Sequence, residues 1–355
     1  MYSVIMAGGV GKRFWPRSRQ EKPKQLLNII DDRSMLRLTV DRLHMKSSYD
    51  EIFIVTNRQQ AEIIREEIPE LPEENLLLEP FGKNTAPAIA LAAVHIQNIN
   101  PEAIMGVFPA DHLIMREDVF FSDLEKAREA VEDKNCLVTF GIEPTRPATG
   151  YGYIQYDTKK QVVDEKVYKV KTFAEKPNLN TANRFLKSGD FLWNSGMFIW
   201  KAKTILQQMK GHMPELYDSA NAIKEALESP DYEQVVEREW KTLRSESIDY
   251  GVMEKAGNVY VVRGEFFWSD LGSWASVYEL ADKDDQENVI QGRALMLNSE
   301  GNYVYSPNRF VATIGLNNMI IINTNDVTMV VERDKAEDVK NIVDALEKNE
   351  MEDYL

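Results

Sequence analysis

A single cysteine, Cys136, excludes an internal disulfide and fits a reducing compartment. Long apolar runs are also missing. The longest uncharged stretch, Asn84 to Pro101, is interrupted by Pro87, His95, Gln97, Asn98 and Asn100, so its apolar part, Ala86–Ile96, suits a buried helix rather than a membrane span. The apolar start, Met1–Ala7, lacks a basic flank and runs into glycines, Lys12 and Arg13, so no signal peptide is expected and a cytoplasmic location is. Positive charge is in deficit: 42 Lys and Arg stand against 57 Asp and Glu, a net charge of −15. Such a surface repels nucleic-acid phosphates and anionic membranes, so neither is an expected partner, and any phosphorylated ligand needs a local basic pocket. No block recurs at a fixed period and no low-complexity linker divides the chain, which argues against repeat architectures.

What is present is an ordinary globular balance, 43% hydrophobic and 28% charged over 355 residues, enough for one large α/β domain with an appendage. Short apolar runs at Tyr2–Met6, Glu51–Thr56, Ile104–Phe108 and Leu137–Phe140 read as buried strands. Helical spacing at Leu36–Leu43, Arg58–Glu67, Ala86–Ile99 and Phe120–Glu132 separates them. This alternation predicts a Rossmann-like α/β fold, a mostly parallel sheet with helices on both faces and ligands at the carboxyl ends of its strands. From about Gly150 come alternating segments, aromatic clusters and a charged helical region, Lys203–Glu254, read as the substrate half of the same domain. Short β-rich runs follow at Arg293–Leu297, Tyr303–Tyr305, Phe310–Ile314, Met319–Ile322 and Val327–Val331, closed by a helix at Lys335–Leu346. The expected division is residues 1–282 and a small β-rich domain, 283–355.

The segment richest in chemistry is Ala7-Gly-Gly-Val-Gly-Lys-Arg-Phe-Trp-Pro-Arg-Ser18, followed by Lys22-Pro-Lys-Gln25. A glycine loop directly after a buried first strand lets backbone N–H groups approach phosphate oxygens, and Lys and Arg supply countercharge. It is not a Walker loop, which needs Gly-Lys-Ser/Thr after four residues, nor a dinucleotide fingerprint, which needs glycine where Phe14 stands. The bland alternative is a tight strand-to-helix turn with solvated basic residues.

The pattern Ala-Gly-Gly-x-Gly-x-Arg-x-x-Pro-x-Ser…Pro-Lys-Gln resembles the sugar-nucleotide pyrophosphorylases, a nucleotidyltransferase family, in the version that couples GTP to mannose 1-phosphate. Further blocks agree in order: Glu79-Pro, Lys83-Asn-Thr-Ala-Pro87, Pro109-Ala-Asp-His112, Thr149-Gly-Tyr-Gly-Tyr-Ile154, Phe173-Ala-Glu-Lys-Pro177, Trp193-Asn-Ser-Gly-Met-Phe198 and Trp268-Ser-Asp-Leu-Gly272. The likeness spans about residues 1–280 and weakens in the β-rich tail. It implies a GT-A-like catalytic domain with a β-helix-like tail, and transfer of GMP from GTP to α-D-mannose 1-phosphate with release of pyrophosphate. No histidine-rich pattern follows the tail, so a single-function enzyme is expected, and a homodimer through the tail.

The resemblance also implies roles. Ala7, Gly8, Gly9 and Gly11 would cradle the triphosphate with Arg13 and Lys24, and Lys176 would hold the sugar phosphate. Asp111 and Asp270 look like a Mg²⁺ pair, since that ion takes one or two carboxylates and completes its octahedron with phosphates and water. Each Asp could equally be an Asx-turn or a cap. Glu79 is the candidate reader of guanine, whose N1–H and N2–H₂ edge suits a carboxylate fork, the alternative being a solvated loop residue. Asn84, Thr85 and Pro87 belong to the same base-side block, where Asn and Thr either meet the nucleotide or cap the following helix. Glu175 and Asn194 would read sugar hydroxyls, and Gly152 would give backbone contact where a side chain clashes. Tyr151, Tyr153, Trp193 and Trp268 are read as packing. A different nucleotide or hexose phosphate, or a silent sugar-nucleotide-binding regulator, stays open beside this reading.

Overall fold

The strand-helix alternation of the first half becomes one end of a nine-stranded sheet. The computed structural model describes residues 1–163 and 166–355, with residues 160–163 described by their backbone alone. Contacts within the chain divide it into two compact units, each assembled from separated segments: residues 1–8, 39–110 and 114–268 in the first, and 9–38, 111–113 and 269–355 in the second.

In the first unit β1 (Tyr2–Met6), β2 (Ile52–Asn57), β3 (Leu76–Glu79) and β4 (Ile104–Pro109) pair in parallel, in the order β3-β2-β1-β4. Their near-continuous apolar runs fit strands buried on both faces. The chain returns between them through α1 (Met35–His44), α2 (Arg58–Glu67) and α3 (Thr85–Ile99). In α2, Ala61, Ile64 and the following Ile68 form a buried stripe at helical spacing, and Asn57 caps its start by accepting from the Gln60 N–H at 3.1 Å. In α3 every residue from Ala86 to Val94 is buried, so the uncharged stretch is a core helix, as its composition predicts. The three-residue β5 (Leu113–Met115) and then α4 (Glu117–Asp133) lead to β6 (Leu137–Ile142).

The later strands depart from simple alternation. β7 (Tyr153–Val163), β8 (Val167–Ala174) and β9 (Phe191–Lys201) give antiparallel pairs, with α5 (Leu179–Ser188) between the last two. β9 sits between β4 and β6, and β10 (Val259–Arg263) lies parallel to β6. The charged helical region resolves into α6 (Ala202–His212), α7 (Pro214–Glu225) and α8 (Tyr232–Thr242), followed by a π-helical turn, Asp249–Met253. Their apolar faces join Trp200 and Trp240, both at most 1% exposed, in one core. No helix among the described residues is long and apolar enough to cross a membrane.

The second unit takes up the chain again at Ser269, the last residue of the three-residue β11 (Phe267–Ser269), and continues with α9 (Trp274–Leu280). β12 (Val289–Leu297), β13 (Tyr303–Ile314) and β14 (Met319–Asn323) stack in parallel, and β15 (Thr328–Glu332) closes the sheet antiparallel. The runs read separately at Tyr303–Tyr305 and Phe310–Ile314 are one strand. Its register slips opposite Gly292, which has φ +110° and where an added Cβ would collide with the Ser306 carbonyl. Buried asparagines replace backbone pairing at the corners: Asn302 donates to Asn288 Oδ1 at 2.9 Å and accepts from the Met319 N–H at 2.9 Å. The terminal helix starts as a 3₁₀ turn at Arg333–Asp338 and continues as α10 (Val339–Lys348). Phe14 of the glycine segment packs 4.9 Å from Trp274, whose ring stacks on Tyr303.

Candidate functional site

The candidate residues fall into two groups, one in each unit. In the second unit the glycine loop turns into a short 3₁₀ helix, Lys12–Phe14. Gly9 has φ +100° and Gly11 φ +71°, the left-handed region that favours glycine. A Cβ on Gly11 would lie 2.5 Å from Lys24 Cβ, so the glycine lets the Pro-Lys-Gln segment close on the loop. Gln25 Nε2 donates to the Gly9 carbonyl at 3.2 Å, the Lys24 N–H to the Val10 carbonyl at 3.3 Å, and Ser18 Oγ also donates to Val10. Two later parts of the motif, Ser18 and the Lys24-Gln25 segment, thus hold one loop in shape.

Lys24 is buried, and its ammonium donates to Asp111 Oδ2 at 2.8 Å and to the Asp270 carbonyl at 2.6 Å. Burial pushes the Asp111 carboxyl up, but the Lys24 ammonium and His112 outweigh it and hold Asp111 below the usual carboxylate range. Gly11, Arg13, Lys24, Asp111 and Asp270 line one open cavity of about 360 Å³, together with Lys340 from α10. Two sets of partners of the loop lay outside the sequence argument. Lys12 pairs with Asp344 and Glu347 at 2.8 Å, and Arg13 Nε with Glu337 at 2.8 Å, all from the last helical segments. Nothing in a motif so far upstream reports such pairs.

In the first unit Ala7 is fully buried, its N–H donating to the Val55 carbonyl at 2.9 Å and its carbonyl accepting from Thr56 Oγ1 at 3.1 Å. A Cβ on the neighbouring Gly8 would touch Glu79 Oε1 at 3.4 Å. Glu79 ends β3 and is 5% exposed. Burial pushes its carboxyl up to about 7, opposed by the Lys83 backbone N–H, and Oε2 has no partner among the described residues. Asn84, at φ +68°, caps α3 through its side chain, which accepts from the Thr85 N–H at 2.9 Å, so the capping alternative holds for it. Thr85 Oγ1 accepts from the Ile248 N–H at 2.9 Å, and Pro87 sits in the first turn, where no intrahelical donor is lost.

Gly152, Glu175, Lys176 and Asn194 are brought together. A Cβ on Gly152 would lie 2.2 Å from Glu175 Oε2, and the Gly152 carbonyl accepts from the Asn194 N–H at 2.8 Å. The Glu175 side chain is 9% exposed, with Oε1 3.1 Å from Lys176 Nζ and Oε2 buried without a partner among the described residues. Lys176 has φ +48°, an uncommon conformation for a residue with a side chain, and aims an exposed ammonium from a constrained backbone. Asp249, on the π-turn, was not legible as a site residue: its Oδ1 accepts from Asn194 Nδ2 at 2.9 Å. Burial first, then the Glu175 charge, pushes Asp249 up to about 7. Trp193 and Trp268 are buried, and Tyr151 packs edge-on against both at 5.0 and 5.5 Å, as the packing reading expects.

No group of three or more His, Cys, Asp or Glu side chains placed to hold a metal occurs among the described residues. Asp111 and Asp270 on one cavity do match the donor chemistry of an ion that needs only one or two carboxylates beside phosphate and water oxygens.

Comparison with known proteins adds to this geometry. The model of the nucleotidyl transferase family matches residues 2–287, and that of a MannoseP isomerase/GMP-like beta-helix domain matches residues 292–346. The chain is 39% identical to a mannose-1-phosphate guanylyltransferase of Salmonella muenchen, over 99% of this chain and 74% of that one. It is 37% identical to the mannose-1-phosphate guanylyltransferase of Escherichia coli (strain K12), over 98% and 73% respectively. A crystal structure named as a mannose-1-phosphate geranyltransferase from Thermus thermophilus superposes with a TM-score of 0.87 at 32% identity, covering 98% of this chain and 99% of that one.

Proposed function

The chain belongs to the nucleotidyl transferase family, and from that premise we propose that it transfers GMP from GTP to α-D-mannose 1-phosphate, releasing pyrophosphate. The carrying observation is the cavity where the glycine loop, Arg13 and Lys24 meet two carboxylates, Asp111 and Asp270. Attack by the sugar-phosphate oxygen on the α-phosphorus joins two anions and expels a third, so catalysis rests on positioning and charge. The backbone N–H groups of Gly8, Gly9 and Gly11 would orient the triphosphate. Arg13 and Lys24 would meet charge developing on the leaving pyrophosphate, each exchanging a carboxylate partner for phosphate oxygens. Asp111 and Asp270 would hold Mg²⁺, which when bound supplies charge neutralisation on the phosphates.

Specificity rests on the first unit. The names of the 37–39% identical relatives favour guanine and mannose. Glu79 supports the base: its carboxylate has a buried, unpartnered oxygen, which suits two parallel N–H donors. Lys176 would hold the incoming phosphate, with Glu175 and Asn194 at the hexose hydroxyls. A cytoplasmic homodimer belongs to the same reading. Leu295 and Leu297 on β12, and Phe310 and Ile314 on β13, are 48 to 74% exposed, an apolar face of the kind that marks an interaction surface.

The test is pyrophosphate release with Mg²⁺ across GTP, UTP, dTTP and ATP, each crossed with mannose and glucose 1-phosphates. Release confined to GTP with mannose 1-phosphate is expected. Another productive pair would overturn the base and sugar assignments, and no release with any pair would overturn the activity.

A further inference from the structure

Asn194 is held at both ends in a way that fixes its amide. The Gly196 N–H, which can only donate, reaches Asn194 Oδ1 at 3.2 Å, and Thr139 Oγ1 lies 3.0 Å from the same oxygen. The other end faces Asp249 Oδ1 at 2.9 Å, and an ionised carboxylate can only accept. The amide therefore turns its NH₂ toward Asp249 and keeps one N–H to offer. Beside it Glu175 keeps a buried Oε2 with no partner among the described residues. Its own N–H is held by Glu254 Oε1 at 3.0 Å, from the residue directly after the π-turn.

The turn carrying Asp249 is itself anchored to the base-side block. The Ile248 N–H donates to Thr85 Oγ1 at 2.9 Å, the Ala86 N–H to the Glu246 carbonyl at 3.1 Å, and the Glu246 N–H to the Lys83 carbonyl at 3.2 Å. On its inner side Met213, just past α6, lies where a Cβ on Gly251 would fall. π-helical turns are rare and are found frequently at functional sites.

We propose that Asp249 is a positioning residue for the sugar phosphate: it holds the Asn194 amide as a donor next to the acceptor Glu175, so that the pair reads a vicinal diol of the hexose. The inference rests on the proposed sugar-phosphate chemistry and names the device that selects the hydroxyl pattern. The charged groups facing Asp249 are Glu175 and Lys176, both following β8, while β9 meets it with the neutral Asn194. Ionisation of Asp249 is what makes it an obligate acceptor, and it ionises near neutrality. Lower pH therefore adds a proton that competes with the Asn194 N–H and loosens the pair.

The test compares wild type with Asp249→Asn in steady state, each substrate varied at saturating levels of the other, across the neutral pH range. It uses whichever hexose 1-phosphate the wild type turns over, so a different sugar preference leaves it intact. The expected result is a KM for the sugar phosphate raised about five- to tenfold, with the KM for the nucleotide within about twofold, the scale of one weakened hydrogen bond. In wild type the sugar-phosphate KM should rise as pH falls through about 7, beyond what ionisation of the phosphate accounts for, and this extra rise should vanish in the variant. Equal changes in both KM values, a fall in kcat alone, or an unchanged pH profile would each overturn the role. If Asp249→Asn does not fold, the wild-type profile decides: no inflection near neutrality overturns it.

Discussion

In the second unit three cations of the glycine segment lie beside carboxylates: Lys12 by Asp344 and Glu347, Arg13 by Glu337 and Lys24 by Asp111. In the first unit the carboxylates Glu79 and Glu175 each keep a buried oxygen without a partner among the described residues. The contrast separates two kinds of recognition. Exposed ion pairs such as Arg13–Glu337 contribute only about 0–1 kcal/mol each, so phosphate oxygens can replace the carboxylate at little cost. A buried acceptor left unmade costs about 1–3 kcal/mol, so a ligand that supplies its donor is strongly preferred over one that does not. On the proposed function, the second unit would hold any triphosphate and discrimination would belong to the first.

The largest break in this comparison should come from Asp111→Asn. It removes the charge opposite Lys24 with almost no change in volume, and turnover of the folded variant should fall on the order of a hundredfold or more. Near-normal turnover would remove Asp111 from the phosphate chemistry. Glu79→Gln should leave turnover with saturating GTP measurable but reduce the preference for GTP over other nucleotides by about tenfold to a hundredfold, read from competing substrates. An unchanged preference would place base reading elsewhere. Lys176→Ala should raise the KM for the sugar phosphate about tenfold without moving that for GTP, and equal shifts in both would discard the division between units.

A smaller effect concerns stability. With its folded pKa raised to about 7, Glu79 binds a proton in the folded chain where the unfolded chain has already lost it. Its favourable contribution is complete below the unfolded carboxylate value and is lost as pH rises through about 7. The ligand-free protein should therefore melt lower at pH 8 than at pH 5.5, and Glu79→Gln should shrink the difference by about a few degrees. Calorimetry showing the same difference in both proteins would remove Glu79 as its source. Finally, Ile314→Lys on the exposed β12–β13 face should yield a monomer by sedimentation, with melting hardly changed because the side chain is 74% exposed. A persisting dimer would move the interface off this face.

Sequence and structure agree where a signal is local. The runs at Tyr2–Met6 and Ile104–Phe108, and the stripe at Arg58–Glu67, correspond to β1, β4 and α2 because apolar period and caps lie within a few residues of each other. The strand Leu76–Glu79 has no such signature: four residues after a proline-rich segment say little until β2 is beside them. The slip opposite Gly292, which makes one strand of two apparent runs, depends on a neighbouring strand rather than on the run itself. For the site, the glycine loop announces itself by its place after a buried strand, and the Glu-Lys-Pro block by its resemblance to the family. Asp249 does not, since its meaning arises only from Asn194, 55 residues earlier. The acidic partners of Lys12 lie 332 and 335 residues downstream, where nothing local ties them to the loop.

Those partners bear on how fast a polyanion arrives. A bare Lys12–Arg13 pair would project a positive field beyond the loop and draw anions in by long-range steering. With Glu337, Asp344 and Glu347 alongside, that field is cancelled at a distance and reappears only once the carboxylates swing aside. On the proposed function, nucleotide capture would then be governed by a local exchange of partners. Its rate should respond weakly to ionic strength, while removal of the three acids would make it faster and far more salt-sensitive.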